Sequence, residues 1–154
     1  MGRFLRLAAF VLVVRPVLLV FFGLNVRRAE SLPMSGPAIV AANHNSHLDT
    51  ATLLAAMPST ILHQVHPVAA ADHFGKNPWQ ALLTRFCVNA LLIPRKRDPE
   101  NPLNDPINIM LAELDAGGSL ILFPEGTRGE PETLQRFKKG VGLVLSQRPG
   151  IPYI

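Results

Sequence analysis

Short apolar runs alternating with helix-length amphipathic runs constrain this chain more than any other feature. The apolar runs are hydrophobic throughout rather than at every second position, which is typical of parallel β-strands covered on both faces. The predicted strands are residues 38–42, 65–71, 90–94, 119–123 and 151–154. The pattern therefore predicts an α/β fold, in which helices flank a mostly parallel sheet.

Four helix-length runs separate these strands, at residues 48–57, 78–87, 106–115 and 138–147. Asn77 and Asp105 are typical N-cap residues, and each precedes a proline at the first position of a predicted helix. Pro58 and Pro149 follow the ends of two others, because proline does not continue a helix. We therefore expect one helix between each pair of successive strands.

The N-terminal segment is apolar and basic. Residues 1–28 carry five arginines and no acid, whereas residues 29–154 carry ten basic and eleven acidic side chains. The apolar run 4–24 could cross a bilayer, but Arg15 and Pro16 near its middle favour two shorter pieces lying at the membrane interface. We predict a membrane-anchoring helical segment over residues 1–30. A helix pair that covers the sheet as part of the core is the alternative.

The composition narrows the class of protein further. A chain of 154 residues makes one domain, and the single cysteine, Cys87, excludes internal disulfides and fits a reducing compartment. The excess positive charge lies on an apolar segment without an aromatic platform, which argues against nucleic acid as a partner. We expect membrane lipid to be a partner and the cytoplasmic face of the cell membrane to be the location.

Polar residues gather after three predicted strands, in segments 43–49, 95–97 and 124–128. Ligands of parallel α/β sheets bind outside the carboxyl ends of the strands, so one site is implied. We expect Arg95 and Arg128 to lie at neighbouring strand ends. The segment that ends in Arg128 contains Gly126, which lets the backbone approach an anion that a guanidinium can bind. An ordinary turn between a strand and a helix is the alternative.

His44 and Asp49 can meet only if His44 lies on a loop and Asp49 in the first turn of a helix, because on one helix they would point about 140° apart. The carboxylate would then fix the tautomer, and the other imidazole nitrogen could take a proton from a hydroxyl. No serine or cysteine has a nucleophile's surroundings, so the nucleophile should come from the substrate. Helix capping by Asn43, Ser46 and Asp49 is the alternative.

These motifs resemble the glycerolipid acyltransferase family, typified by 1-acylglycerol-3-phosphate acyltransferases, over residues 37–154. The family's N-H-x-S-x-x-D block, its strand that closes in arginine, its F-P-E-G-T-R block and its F-K-x-G block match residues 43–49, 92–95, 123–128 and 137–140. Gly129 stands where serine is usual. The family's fourth block begins at Ile151 and is not completed, so we expect residues 31–154 to be an acyltransferase domain truncated at its C-terminal end.

The resemblance implies that His44 is the general base, assisted by Asp49, and that Arg95 and Arg128 hold the phosphate of a lysophospholipid acceptor. Glu125 and Gly126 then position the glycerol part. Further substrate-binding residues implied in the same way are Asn43, Ser46 and Thr127. The implied acyl donor is acyl-CoA or acyl carrier protein, and no metal or other cofactor is implied.

Two other functions stay open. A metal-dependent hydrolase could use His44, His47 and Asp49 as ligands, with His63 and His66 further along the chain. Activity that survives a strong chelator would exclude it. In the second block, residues around Asn89 and Ala90 replace the glycine that usually opens it. A catalytically impaired, membrane-associated fragment would account for this change and for the incomplete fourth block. A thioester assay on the purified chain separates such a fragment from an enzyme.

Overall fold

A parallel β-sheet organises the computed structural model, which describes residues 2–46, 48–74, 88–97, 100–130, 133 and 135–154. Within these residues the sheet has four strands: β1 (Ile39–Ala41), β2 (Val65–Ala70), β3 (Leu91–Ile93) and β4 (Ser119–Leu122). The strands lie in the order β1-β4-β2-β3, and every neighbouring pair is parallel. The predicted parallel α/β fold is therefore confirmed.

The C-terminal residues extend this sheet beyond β1. The backbone N–H of Ile39 donates to Pro152 O over 2.9 Å, and the N–H of Ile154 donates to Ile39 O over 3.0 Å. Ile39 also forms a parallel bridge with Tyr153. The strand predicted for residues 151–154 is thus present as a short pairing, which gives β1 a partner on each edge.

Helices connect the strands, and three of the four within the described residues match predicted helices, whereas the short helix directly after β2 was not predicted. They are α3 (Asp49–Ala56), α4 (Ala71–Phe74), α5 (Pro106–Asp115) and α6 (Gly140–Gln147). The side chain of Asp105 accepts a hydrogen bond from the N–H of Ile107 over 2.8 Å, so the predicted cap of α5 is confirmed. The helix predicted for residues 78–87 lies outside the described residues.

The N terminus is a succession of three helical segments: α1 (Gly2–Ala9), a π-helical stretch (Phe10–Val14) and α2 (Arg15–Val20). Regular α-helical bonding cannot continue through Pro16, because proline has no N–H and its ring crowds the carbonyl four residues earlier. The N–H of Arg15 donates to Phe10 O, five residues back, which carries the helix past the proline. Among the described residues, no helix has the length and apolar character needed to cross a membrane.

Two hydrophobic clusters cover the two faces of the sheet. Val40 and Ile121 point to the face covered by α3 and the N-terminal helices, and Ile39 and Leu120 point to the face covered by α5 and α6. Phe10 belongs to the first cluster, as does Leu18. One side of the N-terminal helices is therefore part of the core, as the alternative interpretation of this segment expects.

Candidate active site

The loop after β1 brings His44 to Asp49, the first residue of α3. His44 Nδ1 lies 3.0 Å from Asp49 Oδ2. The predicted contact is confirmed, with the histidine on a loop and the aspartate in the first helical turn. The same oxygen accepts hydrogen bonds from the backbone N–H groups of Asn45, over 2.7 Å, and Ser46, over 2.8 Å.

The surroundings of Asp49 determine its charge. Burial alone would raise the pKa of this carboxyl, but the backbone amides of Ser46 and Asn45 and the imidazole of His44 outweigh burial and hold the pKa below its usual value. Because an ionised carboxylate can only accept a hydrogen bond, this contact places a ring hydrogen on Nδ1 of His44. Nε2 is then the nitrogen that carries the lone pair and can accept a proton.

Phe123 fixes the plane of the His44 ring. Their ring centroids are 4.1 Å apart and their planes differ by 20°, which is a stacked arrangement. Phe123 directly follows β4, the neighbour of β1 in the sheet. The backbone N–H of Gly129 donates to His44 O over 2.9 Å, so the loop after β1 and the turn after β4 are tied together. Sequence reasoning did not assign this contact to Phe123, although its place directly after a strand is a usable signal.

The turn after β4 carries Glu125, Gly126, Thr127 and Arg128. Glu125 is only 2% exposed, and neither of its carboxylate oxygens has a hydrogen-bond partner among the described residues. Burial without partners is unfavourable for a carboxylate, and hydrogen-bond donors of a ligand would relieve it. Gly126 has a φ of +69°, a left-handed conformation that favours glycine. Thr127 and Arg128 are exposed.

The two remaining members of the first motif have different surroundings. Ser46 Oγ accepts a hydrogen bond from the N–H of Leu48 over 3.1 Å, which is the local bond that the helix-capping alternative expects. Asn43 is exposed and lies directly before His44. Both therefore lie at the carboxyl end of β1, where the sequence predicts the site.

Arg95 lies apart from the other predicted site residues. It follows β3, and β2 separates β3 from β4, so the expectation that Arg95 and Arg128 lie at neighbouring strand ends is wrong. The order of strands across the sheet differs from their order along the chain, which a strand pattern does not reveal. Arg95 Nε also donates to Asp72 in α4, 2.8 Å from Oδ2.

The other histidines make contacts outside this site. His66 Nε2 lies 3.1 Å from Glu113 Oε1, and His63 Nε2 lies 3.0 Å from Gln64 Nε2. No three His, Cys, Asp or Glu side chains form a possible metal site in the part of the chain that the structure describes. His47 lies outside that part.

Lys138 is a further residue at this site. Its backbone N–H donates to Pro124 O over 2.8 Å, and its side chain lies against Gly126. The F-K-x-G block contains this lysine, but no local pattern predicts that it lies beside the turn after β4.

Comparisons with known proteins agree with this architecture. A family model described as Acyltransferase matches residues 23–154. The chain is similar to the chloroplastic 1-acyl-sn-glycerol-3-phosphate acyltransferase LPAT1 of Arabidopsis thaliana, with 31% identity over 129 residues, which cover 82% of this chain and 33% of that protein. It is also similar to the human 1-acyl-sn-glycerol-3-phosphate acyltransferase alpha, with 29% identity over 136 residues, 84% of this chain and 44% of the human protein.

A solved structure has the same fold. The 1-acyl-sn-glycerophosphate acyltransferase PlsC of Thermotoga maritima superposes with a TM-score of 0.58 at 21% sequence identity, covering 99% of this chain and 73% of that one. The chain spans 33% of the length of the plant relative and 44% of the length of the human one.

Proposed function

Because the chain belongs to the glycerolipid acyltransferase family, we propose that it moves a fatty acyl group from an acyl thioester to the free hydroxyl of a lysophospholipid. The acceptor that we propose is 1-acylglycerol-3-phosphate, which the names of the plant and human relatives state as theirs, and the product is then phosphatidic acid. Acyl-CoA or acyl carrier protein is the donor, and no metal or other cofactor takes part.

The contact between His44 and Asp49 is the observation that carries this proposal. With Nδ1–H directed to Asp49 Oδ2 at 3.0 Å, Nε2 can accept the proton of the acceptor hydroxyl as its oxygen attacks. The stacked ring of Phe123 restricts the imidazole to one plane. Correct placement of base and nucleophile lowers the barrier because little orientational freedom is lost at the moment of reaction.

The reaction balances without a covalent acyl-enzyme. The hydroxyl oxygen forms a bond to the thioester carbonyl carbon, and the hydroxyl proton passes to His44 Nε2. The carbon–sulfur bond then breaks. The imidazolium returns the proton to the departing thiolate, so that one ester forms for each thiol released, and Asp49 stabilises the imidazolium in between.

The turn after β4 supplies the acceptor's binding groups in this proposal. The oxygens of Glu125 can accept a hydrogen bond from the glycerol part, and Arg128 can hold the phosphate as a planar fork. Asn43, Ser46, Gly126 and Thr127 line the same carboxyl ends of β1 and β4. Arg95 could reach the phosphate only from the far side of β2, so we give it a smaller share of the binding.

The outer side of the N-terminal helices supports membrane association. Leu12, Val20 and Phe21 are 72%, 75% and 81% exposed, although all three are apolar. Exposed apolar side chains next to arginines are typical of helices that lie at a membrane interface. We therefore propose that residues 1–30 lie on the cytoplasmic face of the membrane and that residues 31–154 carry the acyltransferase site. The two parts share one hydrophobic core, so they are one folding unit and differ only in their role.

The test is acyl transfer by the purified full chain. Acyl-CoA and 1-acylglycerol-3-phosphate in mixed micelles should give free thiol and phosphatidic acid in equal amounts, and a strong chelator should leave the rate unchanged. The matched control acceptor is 1,2-diacylglycerol-3-phosphate, which has the phosphate but no free hydroxyl. Equal thiol release with both acceptors would indicate a thioesterase and overturn the proposal.

A further inference from the structure

Lys138 contacts the turn that carries Glu125 and Gly126, although it lies before α6 rather than after a strand. The hydrogen bond from its backbone N–H to Pro124 O holds its Cα at this turn. Its side chain crosses Gly126, since a β-carbon on Gly126 would lie 2.6 Å from Lys138 Nζ and 2.8 Å from Cδ. The ammonium group therefore reaches the exposed backbone at the carboxyl end of β4.

The charge of Lys138 is available to a ligand. Among the residues that the structure describes, its ammonium has no hydrogen bond or ion pair. Arg95 differs in this respect, because its Nε is already paired with Asp72. An unpaired cation at an open turn can form charge-assisted hydrogen bonds with an incoming anion.

Glu125 gives an independent indication that a ligand binds at this turn. It is the neighbour of Gly126, it is 2% exposed, and both of its oxygens are unpartnered within the described part of the chain. Most buried polar groups in proteins have a hydrogen-bond partner, so a carboxylate with both oxygens unpartnered indicates a site whose ligand supplies hydrogen-bond donors. A ligand that suits both Glu125 and Lys138 combines a hydroxyl with a negative charge, as a glycerol phosphate does.

From these contacts we infer that Lys138 holds the acceptor's phosphate across Gly126, and that it, rather than Arg95, is the second phosphate-binding cation beside Arg128. The inference deepens the proposed function and rests on it. Glycine at position 126 leaves the space that the lysine side chain occupies. Lys138 then determines specificity, because it favours a phosphorylated acceptor over a phosphate-free one of the same chain length.

The experiment compares Lys138→Met, which removes the charge and keeps the length, with Lys138→Arg, which keeps the charge. Lys139→Met is the matched control, because it removes an exposed neighbouring charge. In steady-state kinetics, Lys138→Met should raise the KM for 1-acylglycerol-3-phosphate about ten-fold. The KM for acyl-CoA and the rate with monoacylglycerol should stay within about two-fold of the unmodified chain, and Lys138→Arg should restore most of the affinity.

Two kinetic results would overturn this inference. One is a KM for 1-acylglycerol-3-phosphate that rises no more in Lys138→Met than in Lys139→Met, and the other is an equal rise in both substrates' KM.

Calorimetric titration of the full chain with glycerol 3-phosphate and with inorganic phosphate separates the inference from the proposed function. If the chain has no acyltransferase activity but binds these anions in a way that depends on Lys138, the phosphate site is supported and the proposed reaction is rejected. If Lys138→Met binds both anions as tightly as the unmodified chain does, the phosphate site is rejected. If the unmodified chain binds glycerol 3-phosphate more tightly than inorganic phosphate, the glycerol part contributes to the binding that we infer.

Discussion

At the scale of single residues, one oxygen atom organises the centre of the site. Asp49 Oδ2 accepts hydrogen bonds from His44 Nδ1 and from the N–H groups of Asn45 and Ser46. The two amide bonds fix the carboxylate relative to the loop, and the third fixes the imidazole relative to the carboxylate. The contact between the imidazole and the carboxylate therefore depends on local bonds between residues at most five positions apart.

The first prediction concerns this pair. His44→Ala should reduce kcat by about 10²–10⁴-fold, because a positioned general base contributes roughly that factor. Asp49→Asn should also lose most of the activity, since an amide no longer selects the Nδ1–H tautomer. His47→Ala should have a mild effect. Free-thiol release with 1-acylglycerol-3-phosphate is the measurement, and equal losses at His44 and His47 would point to paired metal ligands instead.

The second prediction concerns acid stability. The pKa of Asp49 is lowered in the folded chain from its ordinary value of 3.8, so the ionised form contributes stability that is complete above that value. This contribution disappears as the pH falls towards the folded-state pKa. In urea titrations, the free energy of unfolding should therefore fall less between pH 6 and pH 3 for Asp49→Asn than for the unmodified chain. Equal losses in both proteins would mean that the carboxylate is not stabilised by its amides.

At the scale of elements, the N-terminal helices have two apolar sides, one packed in the core and one exposed. Leu18 is 3% exposed and lies in the core cluster, whereas Phe21, three residues later, is 81% exposed. A helix that served only as a cover for the sheet would carry polar residues on its outer side. The two sides therefore predict two separable consequences of substitution.

Leu18→Ala and Phe21→Ala test this separation as a matched pair. Leu18→Ala should lower the free energy of unfolding by about 2–5 kcal/mol, the usual cost of truncating a buried leucine, with vesicle binding retained at permissive temperature. Phe21→Ala should leave the unfolding free energy almost unchanged and reduce sedimentation with anionic liposomes. If Phe21→Ala unfolds the chain and leaves liposome binding unchanged, the outer side belongs to a protein contact.

At the scale of the whole molecule, the strand order decides which side chains share the site. The sequence predicted the strands to within about one residue at each end, because continuous apolar runs bounded by turn residues are a strong local signal. It also predicted the contact between His44 and Asp49, which depends on a short loop. The position of Arg95 could not be predicted, because nothing local in the sequence encodes that β2 lies between β3 and β4.

The structure around Pro16 could likewise be predicted only in part from the sequence. Proline predicts an interruption of the helix, but the π-helical stretch that carries the chain past it places Phe10 and Leu18 in the core cluster. That outcome depends on packing against α3 and the sheet. Tertiary contacts of this kind do not appear in a local pattern.

The strand order gives a prediction for the two arginines. Arg128→Ala should raise the KM for 1-acylglycerol-3-phosphate by more than Arg95→Ala does, because only Arg128 follows a strand that neighbours β1. The KM for acyl-CoA should be affected by neither. Kinetics with each substrate varied in turn, at fixed ionic strength, provide the comparison. A larger effect of Arg95→Ala on the acceptor would place the phosphate on the far side of β2.

The bond from Gly129 N–H to His44 O has a consequence for the order in which the molecule assembles. The partners of β1 and β4, such as Ile39 and Leu120, are distant in the chain, so this bond forms only after a long loop has closed. His44 and Asp49 can come into contact early, within one local turn, whereas the turn after β4 reaches them only when β4 has paired with β1. Protection of the Gly129 amide from hydrogen exchange therefore measures the completion of the sheet. A chain trapped before that step has the contact between His44 and Asp49 but not the bond that joins their loop to the turn after β4.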